Sequence, residues 1–177
     1  MMRSLLNAAR QTRPRGLYDT PLGVIQIACD ESYLTGIGFA NEWPPQETDR
    51  KADPPGLSPF GRTPLTDLAA KQILEYFDGR RRAFTLPLAP LRDSFSARVY
   101  AALLRIPYGE TRGYAEIARQ LGNPNAARAV GNANHKNPWV ILVPCHRVIA
   151  ADGALSGYAG GQARKRFLLD LEGGYRS

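Results

Sequence analysis

At Pro87 and Pro90 the apolar residues of this chain change their spacing, and no other feature constrains the fold as much. Before that point, from residue 16 to 39, apolar and polar positions alternate: Leu17, then Val24, Ile25 and Ile27, then Tyr33, Leu34, Ile37 and Phe39. Glycines at 16, 23, 36 and 38 and the Asp30-Glu31-Ser32 step break the runs, which predicts a small antiparallel sheet. Cys29 falls at a strand end and reads as packing. Thr63-Pro64 has the form of a helix cap with proline at the first helical position. It opens a helix with Leu65, Leu68, Ala69, Ile73, Tyr76 and Phe77 inward, which Gly79 stops. Arg80-Arg81-Arg82 reads as a solvated basic turn, and Phe84, Leu86 and Leu88 alternate once more as a last strand. Residues 40–62, with Pro44-Pro45, Pro54-Pro55 and Pro59, read as a long surface loop.

Beyond Pro90 the spacing is helical throughout. Two domains follow, residues 1–90 and 91–177, in an α+β chain whose first half holds the sheet. Ser94 caps a segment with Phe95, Val99, Ala102 and Leu103 on one stripe, and Ile106-Pro107-Tyr108-Gly109 turns the chain. Two short helices come next, Tyr114 to Leu121 and Pro124 to about Ala133, with Gly122-Asn123 between them. Gly113 stands at the first cap, and Glu116 is where a carboxylate reaches back to it. This is the sequence shape of a helix-turn-helix. The second of the pair is nearly all small, Ala126, Ala127, Ala129, Gly131 and Ala133, with Arg128 as the one long side chain. Such a helix either approaches a nucleic-acid backbone or packs tightly on a neighbour with Arg128 in an ion pair.

Charge favours the first of these. Residues 1–91 hold 11 basic and 10 acidic side chains and residues 92–177 hold 12 and 6, so the helical half carries +6 of the net +7. A basic half of this kind suits a polyanion partner. With only two cysteines, 29 and 145, a structural zinc site built from several cysteines is excluded and a disulfide scaffold is not expected. No apolar run approaches the roughly 20 residues needed to span a bilayer. The basic, acid-free opening Met1 to Arg10 reads as a frayed tail.

The reactive candidate lies in Asn137-Pro138-Trp139-Val140-Ile141-Leu142-Val143-Pro144-Cys145-His146-Arg147-Val148-Ile149. Apolar residues on both sides predict that the thiol and imidazole sit in a buried wall. At its reference pKa only about 3% of a thiol is ionised at pH 7, so a nucleophile here needs help from His146 or Arg147. In extended chain neighbouring side chains diverge, so Cys145 and His146 would meet across a turn or through a water. A third group must orient the imidazole. Glu172, at the end of a helix from Ala163 with Phe167, Leu168 and Leu171 inward, is the candidate. The same four residues at 144–147 also fit a helix-turn-helix DNA-binding regulator whose cysteine is structural, a small buried hydrophobe, or a cysteine hydrolase. The glycines around Tyr158, from Gly157 to Gly161, make a loop whose backbone can approach a ligand closely.

Taken together, Ile106-Pro107-Tyr108-Gly109-Glu110-Thr111, Gly122-Asn123-Pro124 with Ala127-Arg128-Ala129-Val130-Gly131, Asn137-Pro138, Pro144-Cys145-His146-Arg147-Val148 and Gly157-Tyr158-Ala159-Gly160-Gly161 resemble the O6-alkylguanine-DNA alkyltransferases. The resemblance is strong over residues 94 to 173 and looser before them. It implies a ribonuclease H-like sheet domain followed by a helical, winged-helix-like DNA-binding and alkyl-acceptor domain. It implies stoichiometric repair of O6-alkylguanine in double-stranded DNA after base flipping, and leaves open whether O4-alkylthymine is a substrate as well. It further implies a cytoplasmic monomer that uses no cofactor and no metal. Cys145 would accept the alkyl group, with His146 and Glu172 activating it through a water and Asn137 bracing its turn. Arg128 would fill the gap left by the flipped base, and Tyr114 would press on the adjacent phosphate and hydrogen-bond the base. Ala127, Ala129 and Gly131 would line the DNA face. The substrate pocket would comprise Val148, Tyr158, Ala159 and Lys165, with the carbonyls of Cys145 and Val148 reading the guanine amino group and the 158–159 loop donating to O6. Ser96, Tyr100, Gly113 and Ala159 depart from residues frequent in the family. The cysteine-rich extra domain of the adaptive-response regulators is not expected.

Overall fold

The computed structural model describes residues 15–40, 61–155 and 157–173. The opening tail, most of the proline-rich loop and Ser156 lie outside the described residues. Two compact units divide the chain, Met1–Ala89 and Pro90–Ser177.

In the first unit β1 (Arg15–Tyr18), β2 (Ile25–Cys29) and β3 (Leu34–Phe39) form an antiparallel sheet in sequence order. Leu34, Ile25, Ile27 and Ile37 are buried against helix α1 (Pro64–Phe77), which contributes Ala69, Ala70, Ile73, Tyr76 and Phe77. The Thr63 hydroxyl accepts from the Thr66 amide and the Thr66 hydroxyl accepts from the Thr63 amide, a reciprocal cap with Pro64 at the first position. Gly79, at φ +72°, follows the end of the helix. Leu68 does not face inward as its spacing predicts: it is 45% exposed, and Thr66 takes the buried place because its hydroxyl accepts from Tyr18 Oη at 2.7 Å.

The last strand is a second correction. Phe84, Leu86 and Leu88 keep their alternation, half-buried against exposed Thr85 and Pro87. Only one parallel bridge forms, Leu34 with Leu88, closed by the Leu34 amide on the Pro87 carbonyl and the Ala89 amide on Leu34. Prolines 87 and 90 lack the amide hydrogens that a longer ladder would use.

The second unit is built on α2 (Phe95–Leu103), α3 (Tyr114–Gln120), α4 (Ala127–His135) and α5 (Gln162–Glu172). Ser94 caps α2 through the Ala97 amide. Val99, Ala102 and Leu103 are buried as their stripe predicts, whereas Phe95 at the helix mouth is half-buried. A single 3₁₀ turn, Pro124–Ala126, joins α3 to α4 and completes the helix-turn-helix. On α5 the inward residues are Leu168 and Leu169, with Phe167 and Leu171 half-buried, because Arg164, Lys165 and Glu172 occupy buried positions on the same helix. Among the described residues no helix is long and apolar enough to cross a membrane.

Candidate active site

The segment before the cysteine is not extended. It runs from α4 through a tight loop into a 3₁₀ turn, Cys145–Arg147, and then β5 (Val148–Ile149). Ile141 sits at φ +73°, a left-handed conformation that a β-branched residue adopts at a cost of about 1–3 kcal/mol. Asn137 holds this loop. Its Nδ2 donates to the Val143 carbonyl at 2.8 Å and to Cys145 Sγ at 3.0 Å, and its Oδ1 accepts from the Trp139 amide. Trp139, Val140, Leu142, Val143 and Val148, on either side of it in the chain, are all buried, and Cys145 is 1% exposed.

β5 pairs in parallel with β4 (Arg112–Gly113). That bridge brings Tyr114, the first residue of α3, beside the cysteine turn. Lys165 Nζ lies 5.9 Å from its ring centre. A Cβ on Gly157, at φ +76°, would stand 2.6 Å from the tyrosine oxygen, so only glycine lets this loop lie against Tyr114.

Behind the cysteine is a closed ionic cluster. Glu172 Oε1 lies 3.0 Å from His146 Nε2 and accepts from Arg147 Nη2 at 2.9 Å, while Oε2 accepts from Arg147 Nε and from the Gly109 amide. Arg147 also donates to the Ile106 carbonyl. The Tyr108 hydroxyl donates to the Leu171 carbonyl, and Gly109, at φ +80°, passes so close to α5 that a Cβ would meet the Glu172 carbonyl at 3.0 Å. The Ile106-Pro107-Tyr108-Gly109 turn is thus the clamp that fixes Glu172.

Burial opposes ionisation of Glu172, but the hydrogen bonds and charges of His146 and Arg147 outweigh it and hold the carboxyl well below its usual range. Burial pushes His146 the other way, towards neutrality, against the pull of Glu172. A neutral imidazole facing an ionised carboxylate carries its proton on Nε2, which leaves Nδ1 as a bare acceptor. That Nδ1 is buried and has no hydrogen-bond partner among the described residues. Cys145 itself is pushed up to about 11, chiefly by burial, with Asn137 and Lys165 pulling weakly in the opposite direction. Burial thus favours the thiol at rest, and the sulfur needs a base to take its proton, as the reference value already required. Lys165 is fully buried, donates to the Val148 carbonyl at 2.6 Å and is lowered to about 8, by burial against the opposing pull of Cys145.

The match to family models decides the relationship: residues 94–174 fit the DNA binding domain of 6-O-methylguanine DNA methyltransferase, and residues 15–90 fit its ribonuclease-like domain. The chain belongs to this methyltransferase family. It is 44% identical over 157 residues to the methylated-DNA--protein-cysteine methyltransferase of Methanosarcina acetivorans, covering 89% of this chain and 96% of that one. The constitutive enzyme of that name from Bacillus subtilis is 44% identical over 161 residues, covering 87% and 92%. The crystal structure of Mycobacterium tuberculosis OGT in complex with DNA superposes with a TM-score of 0.76 at 42% identity, over 90% of this chain and 92% of that one.

Within the methyltransferase fold the remaining site residues distribute as follows. Arg128 and Ala129 are exposed on α4, and Ala127 and Gly131 are half-exposed beside them. Arg128 makes no hydrogen bond or ion pair among the described residues, so the alternative of a salt-bridged packing helix is not realised. Tyr158 is buried, edge-on to His146 at 6.5 Å, and its hydroxyl has no hydrogen-bond partner among the described residues; Ala159 is exposed. The carbonyl of Cys145 already accepts from the Val148 amide and from Asn134 Nδ2 at 3.3 Å, and that of Val148 accepts from Lys165. The guanine-reading role implied for the Cys145 carbonyl meets two donors already in place, because the 3₁₀ turn folds it back on its own chain.

Sequence reasoning overlooked Asn134 and gave Arg147 the wrong partner, since its guanidinium serves Glu172 rather than the thiol. The signal for Asn134 was present: an amide one helical turn after Val130, on the buried stripe of an otherwise apolar helix face.

Proposed function

We propose that this protein repairs alkylated DNA by direct reversal, moving an alkyl group from O6 of guanine to Sγ of Cys145, once per molecule. The observation that carries the reading is the pairing of a walled-in thiol, held by Asn137, with an imidazole whose Nδ1 is left bare by the Glu172 contact. Residues 91–177 act as the DNA-binding and acceptor domain and residues 1–90 as the ribonuclease H-like domain, in a cytoplasmic monomer that needs neither cofactor nor metal. The substrate is double-stranded DNA, in keeping with the relative solved in complex with DNA.

A thiol buried this deeply reaches a base only if the base leaves the stack. The exposed Arg128, on a helix of small residues, enters the vacated space, and Ala127, Ala129 and Gly131 let the backbone come close. Tyr114 presses on the phosphate next to the lesion. The Cys145 proton passes through a water to His146 Nδ1, and the imidazolium that forms is stabilised by Glu172. Sγ then attacks the alkyl carbon: the sulfur–carbon bond forms, the carbon–O6 bond breaks, and the electron pair leaves with guanine. Backbone donors at Tyr158 and Ala159, supported by Val148 and Lys165, meet the charge on the departing base. The thioether product has no group beside it able to cleave it, so the cycle ends there.

Titrating a duplex that bears one O6-methylguanine with increasing protein tests this. Repaired DNA should equal protein added, mole for mole, and then stop; repeated turnover, or no repair, overturns the reading.

A further inference from the structure

In its last turn α4 has carbonyls that the helix itself no longer pairs, as helix ends do. The Asn137 amide turns to the Asn134 carbonyl at 3.2 Å, and the Ala133 carbonyl accepts instead from the Lys136 amide at 3.1 Å and from the Tyr100 hydroxyl at 3.0 Å. Tyr100 belongs to α2 and is buried. Its ring also meets Trp139 edge-on, with centroids 6.4 Å apart and planes at 83°, an arrangement that aromatic pairs favour. Burial first, and the Cys145 sulfur second, push the phenol up from its ordinary value, so it stays a hydroxyl able to donate. Between Ala133 and Trp139 stand the two asparagines that hold the acceptor. Asn134 Nδ2 donates to the Cys145 carbonyl at 3.3 Å, and Asn137 Nδ2 donates to Cys145 Sγ at 3.0 Å. One side chain therefore fastens both ends of the segment that grips the cysteine.

We propose that Tyr100 is a positioning residue for alkyl transfer, clamping Ala133 with its hydroxyl and Trp139 with its ring so that Asn134 and Asn137 meet Cys145 in register. It acts through the asparagines. The Asn137 donor on Sγ favours the thiolate, and that help fades as the angle of the hydrogen bond closes. A segment held at both ends has little room to drift, whereas one held only at Trp139 pivots about that contact. The inference rests on the alkyl-transfer reading above.

Tyr100→Phe removes the hydroxyl and keeps the ring. Tyr18→Phe makes the same change in the sheet unit, where the hydroxyl lies 2.7 Å from Thr66 Oγ1 and 2.8 Å from Asp67 Oδ1. The test compares both with the unsubstituted protein in thermal unfolding, lesion-duplex affinity and single-turnover repair of an O6-methylguanine duplex at saturating DNA. Each should lower Tm by roughly 2–4 °C. Tyr100→Phe should slow transfer about fivefold with affinity within about twofold, since Arg128 and Ala129 lie on the exposed side of α4. Tyr100→Leu, which gives up the ring contact as well, should slow transfer on the order of 50-fold. Tyr18→Phe should transfer at the parent rate. Parent-rate transfer in Tyr100→Phe overturns the inference, as does equal slowing in Tyr18→Phe or a loss confined to affinity. So does Tyr100→Leu no slower than Tyr100→Phe, or failure of Tyr100→Phe to fold, which makes the hydroxyl a merely structural group. If the unsubstituted protein repairs nothing, it is the alkyl-transfer reading that fails.

Discussion

The two units bury polar side chains in different ways. Among the described residues of the sheet unit the buried polar ones are Thr66 and Gln72, and both are satisfied: Thr66 by Tyr18 and Thr63, Gln72 by a reciprocal pair with Thr85. The helical unit buries Asn134, Asn137, His146, Arg147, Arg164, Lys165 and Glu172. The buried side-chain atoms left without a partner among the described residues, Asn134 Oδ1, His146 Nδ1 and Tyr158 Oη, all lie there, around Cys145. Unsatisfied buried groups cost about 1–3 kcal/mol each, so a fold retains them where a reaction uses them. The first unit follows the ordinary rules of a core, and the second departs from them around one sulfur.

The contrast is broken most severely at Glu172. Glu172→Gln strands Arg147 in a buried site and frees the imidazole; single-turnover transfer should fall on the order of 100-fold or more, and urea unfolding should show a loss of about 3 kcal/mol. A stable, fully active variant would mean that the cluster behind Cys145 is dispensable. Arg128→Ala should leave unfolding free energy within about 0.5 kcal/mol of the parent and slow repair in duplex about tenfold, with little change in single strands. Equal losses on both substrates would remove its stack-filling role.

Gln72→Leu sharpens the comparison from the other side. Losing the Thr85 pair should cost about 1–2 kcal/mol in urea unfolding while the transfer rate of the folded protein is unchanged. The smallest effect is one of pH. The folded thiol of Cys145 titrates near 11 against an ordinary value of 9.0, so between those values the folded state holds a proton that the unfolded chain releases. Stability from this residue is therefore lost as pH rises from 9 towards 11. Cys145→Ala should flatten the alkaline side of the stability profile, which unfolding titrations at several pH values would measure.

The elements that were legible were those in which local spacing and burial agree. The sheet strands, the Thr63-Pro64 and Ser94 caps and the Gly122-Asn123-Pro124 joint follow from period and cap chemistry alone. Misreadings arose where a polar partner overrides the pattern. Thr66 displaces Leu68 from the α1 interior by bonding Tyr18, and Lys165 and Glu172 claim the inner face of α5 where Leu171 is expected. Phe84 to Leu88 alternates like a strand, but its prolines cannot sustain a ladder. At the site, the Glu172 contact to His146 could be anticipated because acidic residues near the chain end are few. The Arg147 fork and the Asn134 bond to the Cys145 carbonyl could not, since each depends on packing that brings residues 106, 134, 145, 147 and 172 together.

The central claim is that one buried sulfur takes the alkyl group. After incubation with a duplex carrying a single O6-methylguanine, peptide mass mapping should show one methyl group added on Cys145, none on Cys29, and no addition anywhere in Cys145→Ser. An unmodified Cys145 alongside repaired DNA, or a methyl group on another residue, would contradict the account.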